Sequence, residues 1–114
     1  MSDCLFCRII KKEIPAARVF EDDHAIVIKD INPKAPIHLL AIPREHYAGV
    51  HQVPDEQADL FAGLFTAIKR VIKQERLEEK GYRLVVNSGE SAGQVVPHIH
   101  IHVLSGRNMD KLSG

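Results

Sequence analysis

Residues 98–104, His98-Ile99-His100-Ile101-His102-Val103-Leu104, alternate imidazole and aliphatic side chains as far as Val103. In an extended chain successive side chains point to opposite faces, so the three histidines share one face and Ile99, Ile101 and Val103 the other. The aliphatic face needs an apolar cover, and residues 55–80 supply one. Phe61, Leu64, Phe65, Ile68, Val71 and Ile72 recur at helical spacing and form a single stripe. Asp55, Glu56 and Asp59 suit the N-terminal end of that helix, and Lys80-Gly81 its C-terminal end. The expectation is a strand over 98–104 beneath a helix over 55–80. Its histidine face is then open, wet or occupied by something polar.

The remaining elements follow from shorter patterns. Apolar residues at 5, 6, 9 and 10 suit a short helix within 5–14, ended by Pro15. Residues 18–21 and 25–28 read as two strands turned by Asp22-Asp23, and 30–36, with Asn32, Pro33 and Pro36, as a loop. A third strand over 37–42 stops at Pro43, and 82–87 provides the fourth before the histidine strand. A helix placed between runs of strands indicates an α+β meander rather than a doubly wound sheet. The expected fold is a five-stranded antiparallel sheet with one long helix and a short N-terminal helix, in one domain over residues 1–114.

Composition excludes several classes. Fifteen basic and fifteen acidic residues give no net charge, which removes the global electrostatic case for nucleic acid. The opening Met1-Ser2-Asp3-Cys4 lacks the basic and apolar regions of a signal peptide, and no window is apolar enough for a membrane span. Cys4 and Cys7, the only cysteines, are spaced poorly for a structural disulfide, so a cytoplasmic location is expected. The pair is compatible with two buried apolar residues, a redox couple or half of a metal site.

Three histidines along one flat strand strain to converge on a single ion, so different roles for each are expected. A neutral imidazole is a nucleophile and proton carrier at neutral pH, which suits phosphoryl or nucleotidyl transfer. Directly before the strand, Asn87-Ser88-Gly89-Glu90-Ser91-Ala92-Gly93-Gln94 offers glycines where a backbone can approach a phosphate.

Residues 98–104 match without exception the His-φ-His-φ-His-φ-φ signature (φ apolar) of the histidine-triad family, which this chain therefore resembles. Phe6-Cys7-Arg8-Ile9-Ile10, Glu13-Ile14-Pro15-Ala16, Asp30-Ile31, Pro36-Ile37-His38, Ile42-Pro43 and Gly93-Gln94 are similar to landmarks of its Hint (histidine-triad nucleotide-binding) branch. The resemblance implies a hydrolase acting on a purine nucleotide or nucleoside 5'-phosphoramidate through a covalent nucleotidyl-histidine intermediate. Alternatives are dinucleoside polyphosphate hydrolysis or a nucleotide-binding adaptor with little catalysis.

By the same resemblance, His100 is the nucleophile, His102 contacts the phosphate oxygens and His38 lies close by. Asn87, Gly93, Gln94 and Val95 fall in the phosphate loop, with Val95 in place of a serine of close Hint relatives. Asp30 falls at the ribose position, and Leu5, Phe6, Ile9, Ile28 and Ile31 at the walls of the base pocket. Asp30 also reads as a turn or cap residue, the apolar five as core, and His38 as a buried structural histidine. Some bacterial members bind structural zinc at positions that here are Cys4, Cys7, His46 and His98. As a ligand, His98 does not serve as general acid. No organic cofactor is called for, and His24 and His51 read as surface residues. The resemblance further implies a homodimer through the 55–80 helix and the 82–87 strand. The tail after Gly106 lacks the Trp-Pro-Pro ending of the Hint branch.

Overall fold

Five antiparallel strands, β1 (Arg18–Glu21), β2 (Ala25–Lys29), β3 (Ile37–Pro43), β4 (Tyr82–Val86) and β5 (Ile101–Ser105), form one sheet. The computed structural model describes residues 3–108; the end of the tail, from 109 onward, lies outside them. The sheet is ordered β1-β2-β3-β5-β4, so the last strand inserts between β3 and β4 rather than extending a meander. Burial drives this order. Val103 and Leu104 are apolar on both sides of the chain and reach 0% and 1% exposure only in an interior strand. Tyr82 and Val86 of β4 remain 44% exposed at the edge.

Two apolar layers flank the sheet. On one face, Ala25, Val27, Leu39, Ala41, Ile99, Ile101 and Val103 pack against Leu60, Leu64, Ala67, Ile68 and Val71 of helix α2 (Asp59–Gln74). On the other, Ile26, Ile28, Leu40 and Ile42 pack against Phe6 and Ile9 of the short helix α1 (Leu5–Ile10). The expected covering helix is therefore present, but it is not continuous over 55–80. A 3-10 turn (Asp55–Gln57) precedes α2, and a four-residue helix α3 (Leu77–Lys80) follows it. Arg76 breaks the run in a left-handed conformation (φ 58°), which turns Leu77 into the core at 0% exposure. Phe65, in the expected stripe, instead stands 45% exposed.

α1 ends at Ile10, earlier than Pro15 would require, because Lys12 adopts a left-handed turn (φ 64°). Arg18 of β1 donates to the terminal carbonyls of Ile9 and Ile10, and so fastens the C-terminal end of α1 to the sheet. His24 and His51 are exposed, as their lack of pattern indicated. No helix among the described residues is long and apolar enough to cross a membrane.

Candidate active site

The histidine run is only partly strand. Regular pairing begins at Ile101, and His98 to His100 form a bent approach to it. The reason lies in the backbone partners: His98 N–H closes a turn on the Val96 carbonyl (2.8 Å), and Ile99 N–H bonds the Tyr47 carbonyl (2.8 Å). The alternation of faces nevertheless holds, with Ile99, Ile101 and Val103 under α2. The histidine face is not open. α1 covers it, leaving His98 at 0% and His100 at 6% exposure, with His102 half-buried.

Hydrogen-bond partners assign the ring protons, since a carbonyl accepts only from N–H and a backbone N–H donates only to a lone pair. His100 Nδ1 lies 2.8 Å from the His98 carbonyl and must carry the proton. Its Nε2 is then a lone pair. The Lys34 N–H donates to His38 Nδ1 (3.0 Å), so His38 Nε2 carries the proton and points at His102 Nδ1 (2.9 Å) and Asp30 Oδ2 (3.3 Å). His102 Nδ1 accepts, which leaves its own proton on Nε2. The rings of His100 and His102 lie side by side, their centroids 5.1 Å apart. A nucleophilic lone pair and an N–H donor are thus held on neighbouring rings, an arrangement that can attack phosphorus and hydrogen-bond its oxygens. Burial, above all, lowers the pKa of His100 and of His38 from the ordinary imidazole value. It also pushes His102 down to about 4, helped by the neighbouring His100 and His38.

A second group sits at the N-terminal end of α1. His98 Nε2 lies 2.8 Å from the Pro43 carbonyl and donates to it, so Nδ1 is a lone pair. Around that lone pair stand His46 Nδ1 at 3.0 Å, Cys4 Sγ at 3.4 Å and Cys7 Sγ at 3.6 Å, with Cys7 Sγ 3.3 Å from His46 Nδ1. The cysteines are not joined in a disulfide. With bonds of about 2.3 Å to sulfur and about 2.0 Å to nitrogen, a zinc tetrahedron has edges of roughly 3.3–3.8 Å. The observed separations are close to that range, and the His98 bond to a backbone carbonyl is the usual outer support of a metal-bound imidazole. The residues fit a tetrahedral divalent cation. Asp30, His38 and His102 also cluster tightly enough for an ion. There, however, the Lys34 N–H bond to Nδ1 keeps the His38 proton on Nε2, the atom that would have to serve as the ligand.

The other residues singled out in the sequence are distributed unevenly. Asp30 Oδ1 accepts from the Asn32 N–H (2.8 Å), the turn reading, while Oδ2 faces His38. Ile9 and Ile28 are buried in the second core layer with Phe6, and Leu5 is 42% exposed. Ile31 and Val95, at 91% and 89% exposure, stand in solvent. Gln94 clasps its own loop, accepting from the Gly89 N–H (2.8 Å) and donating to the Ala48 carbonyl (2.7 Å). Asn87 lies just past the end of β4, beside Gly93, whose φ of 100° favours glycine. Three contributors went unnoticed in the sequence: the Lys34 N–H and the carbonyls of Pro43 and Tyr47. All are backbone atoms, on which side-chain patterns are silent.

A HIT-domain profile matches residues 11–109. The chain belongs to the HIT family. A HIT family hydrolase from Clostridium thermocellum has the same fold (TM-score 0.92, 43% identity, 98% of this chain and 97% of that one). The histidine triad nucleotide-binding protein of Candida albicans also superposes (TM-score 0.83, 32% identity, 98% of this chain and 85% of that one). A 14 kDa zinc-binding protein of Zea mays is 43% identical over 111 residues, 96% of this chain and 86% of its own.

The neutral histidines of this HIT domain make its stability depend on pH in a definite direction. The His102 pKa falls from 6.5 to about 4 on folding, so between these values the unfolded chain binds the proton first. Stability is present in full above pH 6.5 and is lost as pH falls toward 4. The urea midpoint should therefore drop over that window, with a shallower drop in His102→Asn. Identical slopes for the two proteins would remove His102 as a source.

Proposed function

We propose that this HIT protein is a hydrolase of the Hint-like branch that cleaves nucleoside 5'-phosphoramidates at the α-phosphorus through a nucleotidyl-His100 intermediate. One observation carries the reading. The 2.8 Å bond from His100 Nδ1–H to the His98 carbonyl leaves Nε2 as an uncharged lone pair at neutral pH. The names of the relatives, a hydrolase and a nucleotide-binding protein, support the substrate class.

In the first step His100 Nε2 forms a bond to phosphorus as the P–N bond to the amine breaks. The amine departs with a proton drawn from solvent, because neutral His102 would become an imidazolate if it gave up its Nε2–H. The His38 Nε2–H, bonded to His102 Nδ1, keeps the His102 proton on Nε2, where it hydrogen-bonds the phosphate oxygens. The charge that develops on the His100 ring is shared with the His98 carbonyl through Nδ1–H. Water then attacks phosphorus and gives up a proton to solvent as the bond to Nε2 breaks, which releases the nucleotide and restores the neutral imidazole. In this reading Asp30 receives the ribose hydroxyls. Asn87, Gly93, Gln94 and the Val95 N–H face the phosphate, and Leu5, Ile9, Ile28 and Ile31 border a purine.

His100→Ala should abolish turnover of a panel of phosphoramidates, acyl-nucleotides and dinucleoside polyphosphates while changing nucleotide affinity by less than about tenfold, because covalent attack acts only in the transition state. Wild-type kcat in that variant would refute the nucleophile. Preference within the panel decides between phosphoramidate and dinucleoside polyphosphate.

Cys4, Cys7, His46 and His98 are assigned a structural zinc, in line with the zinc-binding name of the maize relative. When bound, a closed four-ligand ion supplies a cross-link and no open position for water. Purified protein should carry about one equivalent, and Cys4→Ser should lower Tm more than kcat. Elemental analysis finding no metal in protein prepared without chelator would contradict the site.

The protein is further proposed to be a homodimer through α2 and β4. Phe65, Val86, Val50 and Tyr82, each 43–45% exposed, lie on these elements or next to them, and β4 has an unpaired edge. Sedimentation should show a dimer at micromolar concentration and a monomer for Phe65→Glu. A monomeric wild type would end this reading.

A further inference from the structure

Phe6 belongs to two groups at once. It sits between Cys4 and Cys7 in the first turn of α1, whose N-cap is Cys4, with Cys4 Sγ accepting from the Cys7 N–H (3.4 Å). That turn directs Leu5 outward, at 42% exposure, and Phe6 inward, at 4%. The Phe6 ring then stands nearly perpendicular to the His100 imidazole (centroids 5.0 Å apart, 76° between planes) and to that of His98 (6.0 Å, 82°). Perpendicular aromatic contacts of this kind are attractive and directional.

The His100 ring needs such a contact. Rotation of an imidazole about its Cβ–Cγ bond has broad minima, so intrinsic torsional preference does not hold its plane. The hydrogen bond from Nδ1–H to the His98 carbonyl holds one atom only, and a ring that tilts off that contact loses its preference for the Nδ1–H tautomer. His102 limits the tilt on one side, with ring centroids 5.1 Å apart and planes at 62°. Phe6 supplies another support. Phe6 is itself held in place, almost wholly covered by its own protein.

We infer that Phe6 is a positioning residue: its ring, fixed by the Cys4–Cys7 turn, holds the His100 imidazole in the orientation that aims Nε2 at the reacting phosphorus. The base-wall role implied by the family resemblance is the competing assignment. The inference rests on the proposed nucleophile for its catalytic consequence, but the tautomer that this orientation keeps is measurable without turnover.

The test is Phe6→Leu, which keeps an apolar side chain and removes the ring plane, with Phe6→Met as a second variant should the first fold poorly. In the metal-bound wild type, two-bond nitrogen–proton NMR correlations should show His100 as a single neutral form protonated on Nδ1. The variant should show an averaged pattern for His100, an unchanged one for His102, and the same metal content per chain. With a nucleoside phosphoramidate, kcat should fall about tenfold and KM stay within about twofold, the signature of a misaimed nucleophile. Phe6→Tyr, which restores the ring, should recover the wild-type His100 pattern. An unchanged His100 spectrum together with a raised KM and normal kcat would overturn the inference and make Phe6 a base wall. If the wild type turned over no nucleotide at all, the proposed function would fail, and the His100 spectra would still decide the positioning role.

Discussion

The hydrogen bond between His100 Nδ1–H and the His98 carbonyl sets the chemistry of this site, because it decides which ring nitrogen is a lone pair. The backbone that carries this carbonyl is bent ahead of the regular strand, which begins at Ile101. The bend is kept by the Ile99 N–H bond to Tyr47 and by Ile99 itself, buried under α2 at 2% exposure. Burial on the opposite side completes the hold. α1 closes over His98 and His100 with Phe6, and Arg18 ties the far end of α1 to β1. A short helix of six residues has little stability of its own, so these tertiary contacts keep it in place.

The same residue types serve two different purposes a few residues apart. Around His98 Nδ1 the neighbours are two sulfurs and another imidazole nitrogen, all of them able to donate electrons to a cation. Around His38 and His102 the neighbours alternate donor and acceptor, from the Lys34 N–H through both rings. The first arrangement suits a metal and the second suits protons. What separates them is where two backbone groups fall: the Pro43 carbonyl fixes the tautomer of His98, and the Lys34 N–H that of His38.

Both arrangements require neutral histidines, and the fold provides for this by withholding water rather than by adding charge. Burial is the leading cause of the lowered pKa at His38, His98, His100 and His102. Asp30, whose carboxylate faces His38, acts against burial and favours the charged form. Its second oxygen is engaged by the Asn32 N–H, which fixes the carboxylate in the turn before β3.

Much of this was legible in the chain. The period-two run at 98–104 and the period-3.6 stripe of α2 specified a strand with its aliphatic face under a helix, because side-chain periodicity reports directly on which groups must leave water. The triad signature carried the family, and the resemblance, rather than the spacing of the residues, pointed to Cys4, Cys7, His46 and His98 as a group, which the fold brings together across up to 94 positions of sequence. Other features depend on contacts that no local pattern encodes. Insertion of β5 between β3 and β4 follows from the need to bury Val103 and Leu104 on both sides, which only the assembled sheet satisfies. The break at Arg76 is set by the core site that takes Leu77, and the start of regular strand at Ile101 by a bond from Ile99 to Tyr47. Ile31 and Val95 are apolar in sequence yet exposed in the structure, since neither joins the apolar layer on either face of the sheet. Which nitrogen of each histidine holds the proton was decided last of all. It depends on single backbone atoms of Lys34, Pro43 and His98, and the identity of a side chain says nothing about where its neighbour's carbonyl will point.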